Sequence, residues 1–350
     1  MSFIYRTFAF AVIVLCLMYS FTVSIDPYEK FGINLWHLKT KAVYSDRDQK
    51  YYHLLKHKRE YDFFVLGSSR AQYIDPEQIK DITSQNTYNF SVISGQPEDY
   101  LAITNYIIKT QIPKTIWLQL DFKNLNDYNQ LFMQFKTSKL YLFLDHSPSK
   151  EKTEKTFLFD STYFTLDSFL DSIRIVGKNM QKNSEQIIKE NGMYARLPTT
   201  LFHTEHLESS YFDEYYKEYD FDQQRINYLL SIKELCDQYK IKLIVSISPM
   251  STQHLTKILA DPYLKPKFFD FKRKVVSIFG EVHDFNNFAV NQYDGFYWVD
   301  SVHLTPELAH IITSNMLSSK NNYFGSTLTN KNIEHYIANF NNNQSDFSNE

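Results

Sequence analysis

The sequence predicts an α/β fold: a three-layer sandwich with a five-stranded parallel sheet, preceded by an N-terminal transmembrane helix. Three observations predict it. Five short apolar runs, sparsely charged and rich in β-branched or aromatic residues, are spread along the body of the chain, as expected for strands covered on both faces. Helical patterns lie between them, the alternation a parallel sheet needs, because each strand must return over a face before the next can pair. Finally, no charge occurs between Arg6 and Asp26.

That uncharged stretch comes first. Phe8 to Ile25 reads FAFAVIVLCLMYSFTVSI, close to the ~20 apolar residues that cross a bilayer. With Arg6 ahead of it, it has the form of a signal peptide or signal anchor. Thr22 and Ser24 are small enough to mark a cleavage site, but retention is the favoured reading. Leu15 directly before Cys16 does not resemble a lipoprotein processing site. Residues 1–26 are therefore read as an anchor to the cell membrane, with the remainder of the chain extracytoplasmic, either periplasmic or extracellular. Residues 27–59 are read as a linker and leading helix.

The α/β domain is expected over 60–318. Its strands are the runs Phe63–Leu66, Thr87–Phe90, Thr115–Leu120, Lys242–Ser246 and Val282–Phe285. Ile226, Leu229, Leu230, Ile232 and Leu235 give the segment from Asp222 to Tyr239 an apolar helical face that feeds directly into the fourth strand. Near the end, Thr305 is placed as an N-cap, Pro306 suits the first helical position, and Leu308, Ile311, Ile312 and Met316 repeat at helical spacing. The interval 127–220 is too long for a simple crossover. It is read as an insertion with helices of its own, one near Ser168 to Lys189. Residues 319–350, rich in Asn and Ser, are expected to be disordered.

Composition narrows the partners. A formal charge of -3 and the lack of a basic patch give no reason to expect nucleic acid. Cys16 in the apolar segment and Cys236 in a helical pattern are not expected to form a disulfide. The 26 Tyr and 29 Phe are ascribed to ordinary core filling, with sugar stacking as the alternative. His203 and His206, in HTEH, lack the H-E-x-x-H zinc pattern, so no metal is expected.

Two short motifs carry chemistry. In YDFFVLGSSR, Gly67, Ser68 and Ser69 fall in the turn after the first strand, at the sheet edge where open α/β sheets bind ligands. Glycine permits the tight turn, and a serine there can be lifted toward a base. In YDGFYWVDSVHLTPEL, Asp300 and His303 stand three apart in the loop before the last helix. At that spacing a carboxylate can accept from the imidazole, fix its tautomer and stabilise the imidazolium formed when a serine loses its proton. Together the motifs pair a serine of that turn, as nucleophile, with His303 as its base and Asp300 as the orienting carboxylate, a mechanism that needs no cofactor.

G-S-S after a leading strand with a distal D-x-x-H resembles the SGNH (GDSL-type) hydrolase superfamily, over roughly residues 60–318 without the insertion. The resemblance extends to its membrane-anchored branch, which includes alginate O-acetyltransferase-like and D-alanyl-lipoteichoic acid biosynthesis proteins. It implies an SGNH-hydrolase or flavodoxin-like architecture and makes Ser69 the nucleophile, with Ser68 where aspartate is more common. It also implies an oxyanion hole from the Ser69 amide, Gly95 and an asparagine after the third strand. No G-x-N-D motif follows that strand, so Asn124 and Asn126 are both candidates. Acyl transfer or ester hydrolysis on cell-surface polymers is implied, with a polysaccharide as acyl acceptor and a multipass membrane O-acyltransferase as partner.

Ser68, Arg70 and His254 share the same sheet edge and are candidate substrate contacts. Arg70 is expected rather to pair with a carboxylate such as Asp121, and His254 to lie at the surface. Three functions compete: a membrane-anchored serine acyltransferase that O-acetylates a surface polysaccharide, an exported esterase or lipase, and an idle binding or assembly component of a polysaccharide-modification complex.

Overall fold

The computed structural model describes residues 2–33, 35–38, 45–56, 60–129, 132–144, 161–180, 188–194, 212–286, 297–318 and 325–347. The chain divides into two compact units, one of residues 1–59 with 145–190 and the other of 60–144 with 191–350. The division does not fall at the expected boundaries of the insertion, 127 and 220. Only the middle of that interval groups with the N-terminal residues.

In the first unit, α1 (Ser2–Ile25) carries a single charged residue, Arg6. From Phe3 to Ile25 it has a mean hydropathy of 2.3, long and apolar enough to cross a membrane. It stops at Asp26, whose φ of 48° leaves the helical region. The buried Asp26 carboxylate accepts from the Tyr163 hydroxyl at 2.5 Å and from the backbone N–H of Ile33 at 2.9 Å. A second helix, α2, spans Asp46–Lys56. Burial pushes its Lys50 ammonium down to about 7, against the opposing pull of Asp46.

Of the helix expected near Ser168–Lys189, residues 181–187 lie outside the described residues; the described helix spans Leu166–Asn179 and is here called α5, α3 and α4 belonging to the second unit. It starts early because Thr165 caps it, its hydroxyl accepting from the Ser168 N–H at 3.1 Å.

The second unit is built on β1 (Phe63–Leu66), α3 (Pro76–Thr83), β2 (Thr87–Asn89), α4 (Pro97–Thr110) and β3 (Thr115–Leu120). It continues with α6 (Gln223–Gln238), β4 (Lys242–Ile247), α7 (Thr252–Ala260), α8 (Leu264–Phe279), β5 (Glu281–Asp284), α9 (Pro306–Leu317), β6 (Ser326–Thr329) and α10 (Ile333–Phe347). The sheet order is β2-β1-β3-β4-β5-β6. Neighbours from β2 to β5 are parallel, and β6 is antiparallel to β5.

The expected five-stranded parallel sheet is thus a mixed sheet of six strands. The stretch expected to fray holds the addition: Leu328 of STLT is fully buried, and β6 covers the edge of β5 that would otherwise be open. Beyond it, Tyr336 of α10 donates to Asp284 at 2.7 Å. Lys272 of α8 also reaches that carboxylate, at 2.6 Å, beneath the rings of Phe268, Tyr336 and Phe340.

Chain direction across the sheet reverses between β1 and β3, so the loops leaving these neighbours diverge and open a crevice at their C-terminal ends, where such sheets bind ligands. Phe63, Val65 and Trp117 pack with Leu304, Leu308 and Ile312 in one core cluster. The start of α9 is thereby fixed against the strand that leads into the G-S-S turn. Gln78 of α3 reinforces this by donating to the His310 carbonyl at 2.9 Å.

Candidate active site

Leaving β1, the backbone makes a 3-10 turn over Ser69–Ala71. Ser68 caps it, its Oγ accepting from the Arg70 N–H at 3.2 Å and donating to Asp121 Oδ2 at 2.5 Å. From β2, the Asn89 amide donates to the carbonyls of Ala71 at 2.8 Å and Ile74 at 2.9 Å. Side chains from both neighbouring strand ends therefore brace the turn that carries Ser69. A Cβ at Gly67 would lie 2.8 Å from that of Ala71, so the turn closes this tightly only over glycine.

Across the crevice, Thr305 caps α9, and Val299 N–H donates to the His303 carbonyl at 2.9 Å. Asp300 folds its carboxylate back over the loop. Oδ1 accepts the N–H groups of Val302 at 2.9 Å and His303 at 2.8 Å, and Oδ2 lies 2.6 Å from His303 Nδ1. On the other side of the ring, His303 Nε2 is 2.8 Å from Ser69 Oγ. Ser69 and His303, 234 residues apart in sequence, are thus in direct hydrogen-bond contact.

With Nδ1 facing a carboxylate, the proton belongs there and the free lone pair on Nε2 faces the serine. Burial alone would raise the Asp300 pKa, but the His303 hydrogen bond and charge, with two backbone N–H donors, outweigh it and hold the carboxyl at about 2. The imidazole remains 22% exposed, so a bound molecule could reach it.

No protein-family model matches the chain, and no curated protein is similar to it.

The other candidates are placed less uniformly. Gly95, expected to donate its amide to an oxyanion, donates it instead to the Val92 carbonyl at 3.1 Å, because the chain turns there with Ser94 at a φ of 52°. Its carbonyl accepts from Tyr100 Oη at 2.9 Å and Asn124 Nδ2 at 3.0 Å. The two asparagines part company. Asn124 lies against Gly95, with Oδ1 taking the Asp121 N–H at 2.7 Å. Asn126 donates to the Tyr215 carbonyl at 3.0 Å and accepts from the Asp220 N–H at 3.2 Å, fastening the returning chain instead.

Ser68, Arg70 and His254, expected as candidate substrate contacts, are buried. The Arg70 guanidinium Nε lies 3.6 Å from Asp121 Oδ1, the pairing expected of it. Burial opposes its charge, but Asp121 and the nearby Tyr216 and Tyr215 raise its pKa. His254 is fully buried rather than at the surface, its Nε2 3.1 Å from Tyr216 Oη. Burial, with Arg70 and Lys257 nearby, pushes it down to about 3, so it stays neutral beside a permanently charged guanidinium. Burial likewise raises the Tyr216 hydroxyl to about 12, against Arg70.

Sequence reasoning missed Asn89 and Lys123. Asn89 ends a strand in a run, YNFS, whose polarity was the available signal. Lys123 lies two residues beyond Asp121, its ammonium 4.0 Å over the Tyr215 ring. Burial lowers it to about 8 although Asp121 pulls the other way. HTEH, residues 203–206, lies outside the described residues.

Proposed function

We propose that this protein is a membrane-anchored serine acyltransferase of SGNH-like, flavodoxin-like architecture that O-acetylates a cell-surface polysaccharide. The observation that carries the reading is the continuous hydrogen-bonded line Ser69 Oγ, His303 Nε2, His303 Nδ1, Asp300 Oδ2, at 2.8 Å and 2.6 Å. Nucleophile, base and orienting group each have their required neighbour.

In the proposed reaction, Ser69 Oγ attacks the carbonyl carbon of an acyl donor while its proton passes to His303 Nε2. The tetrahedral adduct places its oxyanion toward the Ser69 N–H, which donates no hydrogen bond among the described residues. The second amide proton of Asn124 is the other candidate donor, the first being held by the Gly95 carbonyl. Collapse expels the leaving group, which takes the proton from His303 and leaves an acyl-serine. A sugar hydroxyl then gives its proton to His303 and attacks the acyl carbon, releasing Ser69 Oγ to recover that proton.

Support for a surface acceptor comes from α1, which is apolar enough to hold the chain at a membrane. An extracytoplasmic domain and a multipass membrane O-acyltransferase as acyl supplier belong to the same proposal.

The test uses the full chain in detergent with p-nitrophenyl acetate, with and without a soluble glycan. Wild-type protein should release nitrophenol and transfer acetyl to glycan, and Ser69→Ala should do neither while keeping its circular dichroism. Release indifferent to glycan would make the protein an ester hydrolase. Full turnover by Ser69→Ala would overturn the serine mechanism.

A further inference from the structure

The first unit carries a surface that the proposed chemistry does not use. From Phe3 to Leu17 every residue of α1 except Val14 is exposed. At 1.5 Å per residue this run is only about 22 Å long, short of the ~30 Å hydrocarbon core of a bilayer. To fill that thickness the buried length must continue roughly five residues further, to about Thr22. Over those residues α1 is no longer bare. Tyr19 meets the ring of Phe164 at a centroid distance of 5.4 Å, and Phe21 meets Phe169 at 5.7 Å.

The segment packed there is itself apolar on its outer side. Phe164 is 46% exposed and Leu166 63% exposed. An open groove between the two elements is lined by Leu15, Met18, Phe164, Leu166 and Phe169 among others. On α5, Leu166, Leu170 and Ile173 form one exposed stripe, while Asp167, Asp171, Arg174 and Lys178 occupy the adjacent one, the two-faced pattern of a helix at a membrane boundary. Two of the corner's backbone groups are satisfied within it: Thr165 Oγ1 takes the Ser168 N–H at 3.1 Å, and Ser168 Oγ donates to the Thr165 carbonyl at 2.9 Å. A corner entering lipid must do this, because no water is there to do it.

Further along, Tyr28 donates to Asp171 at 2.9 Å. The ring contacts of Tyr19 with Phe164 and Phe21 with Phe169 thus give way, past the end of α1, to polar ones, Tyr28 with Asp171, Tyr163 with Asp26 and Lys30 with Thr162, which mark the exit to water.

We infer that the apolar side of this corner, Phe164, Leu166 and Leu170, is seated in the bilayer beside α1, with one lipid acyl chain occupying the groove. This rests on α1 crossing the membrane, and the test separates the two claims. In a Cys16→Ser background, an environment-sensitive fluorophore is attached at Phe10→Cys, Leu166→Cys or Glu234→Cys in the full chain. The native Cys236 is buried, and burial pushes its thiol up to about 12, so it stays unlabelled.

The three proteins are placed in phosphatidylcholine vesicles carrying nitroxides at a shallow acyl carbon. The expected result is blue-shifted, strongly quenched emission at positions 10 and 166, and neither change at 234. Quenching at 10 with a water-like signal at 166 would overturn the inference and leave the anchor. A blue shift at 166 without quenching would assign the surface to protein, a second copy or a partner, and overturn it too. No quenching at 10 would remove the anchor and the inference together.

Discussion

At the scale of residues, the site concentrates its demands on three side chains and gives each a separate constraint. Asp300 cannot rotate away while two backbone N–H groups hold Oδ1. Asp300→Asn keeps the shape but presents an amide where the imidazole needs an acceptor, so turnover on p-nitrophenyl acetate should fall on the order of 10³–10⁴-fold with little change in KM. The same carboxylate links stability to pH. Its folded pKa of about 2 lies below the usual 3.8. Its contribution is therefore complete above the unfolded value and is lost as pH falls through the folded one. The gap in denaturation free energy between wild type and Asp300→Asn should narrow by about 2 kcal/mol between pH 7 and pH 2, the worth of the shift. The hydrogen-bonded line of Ser69, His303 and Asp300 was legible in sequence, because two short motifs carried its residues. The bracing was legible only in part: the pairing of Arg70 with Asp121 was expected, but His254 read as a surface residue, and only the third dimension shows Tyr216 against it.

At the scale of elements, what matters is how the ends of β1, β2 and β3 are tied. A Cβ at Gly95 would stand 2.7 Å from the Gly67 carbonyl oxygen, a backbone atom that cannot swing aside. Gly95→Ala should therefore shift the turn bearing Ser69 and lower kcat on the order of 10²-fold, the usual cost of a misplacement near 1 Å, while far-ultraviolet dichroism is kept. Removing the Ser68 hydroxyl takes a donor from the buried Asp121 carboxylate. Ser68→Ala should cost about 1–3 kcal/mol in chemical denaturation. The strands β1 and β3 are read from sequence to the residue because their apolar runs have sharp ends. β6 is not legible, since STLT is short and only Leu328 is an anchor. The helix expected from Ser168 starts two residues earlier, at Leu166, because its Thr165 cap is recognised only by the bond it makes.

At the scale of the whole molecule, the C-terminal elements are part of the sheet's closure. Lys272 and Asp284 are both fully buried, and removing one leaves the other charge unmatched. Lys272→Met should cost about 3–5 kcal/mol in chemical denaturation, and adding Asp284→Leu should recover most of the loss. The division of the chain has a different consequence, which concerns time. The unit containing α1 draws on residues from both 1–59 and 145–190. At roughly 5–20 residues per second of synthesis, Tyr163 emerges many seconds after Asp26, the residue it will bond. Throughout that interval the nascent chain holds an apolar segment whose neighbouring carboxylate has not met the Tyr163 hydroxyl. The ribosome delivers α1 early and its last partners late, so this unit is completed only once the first three strands of the other have already been made.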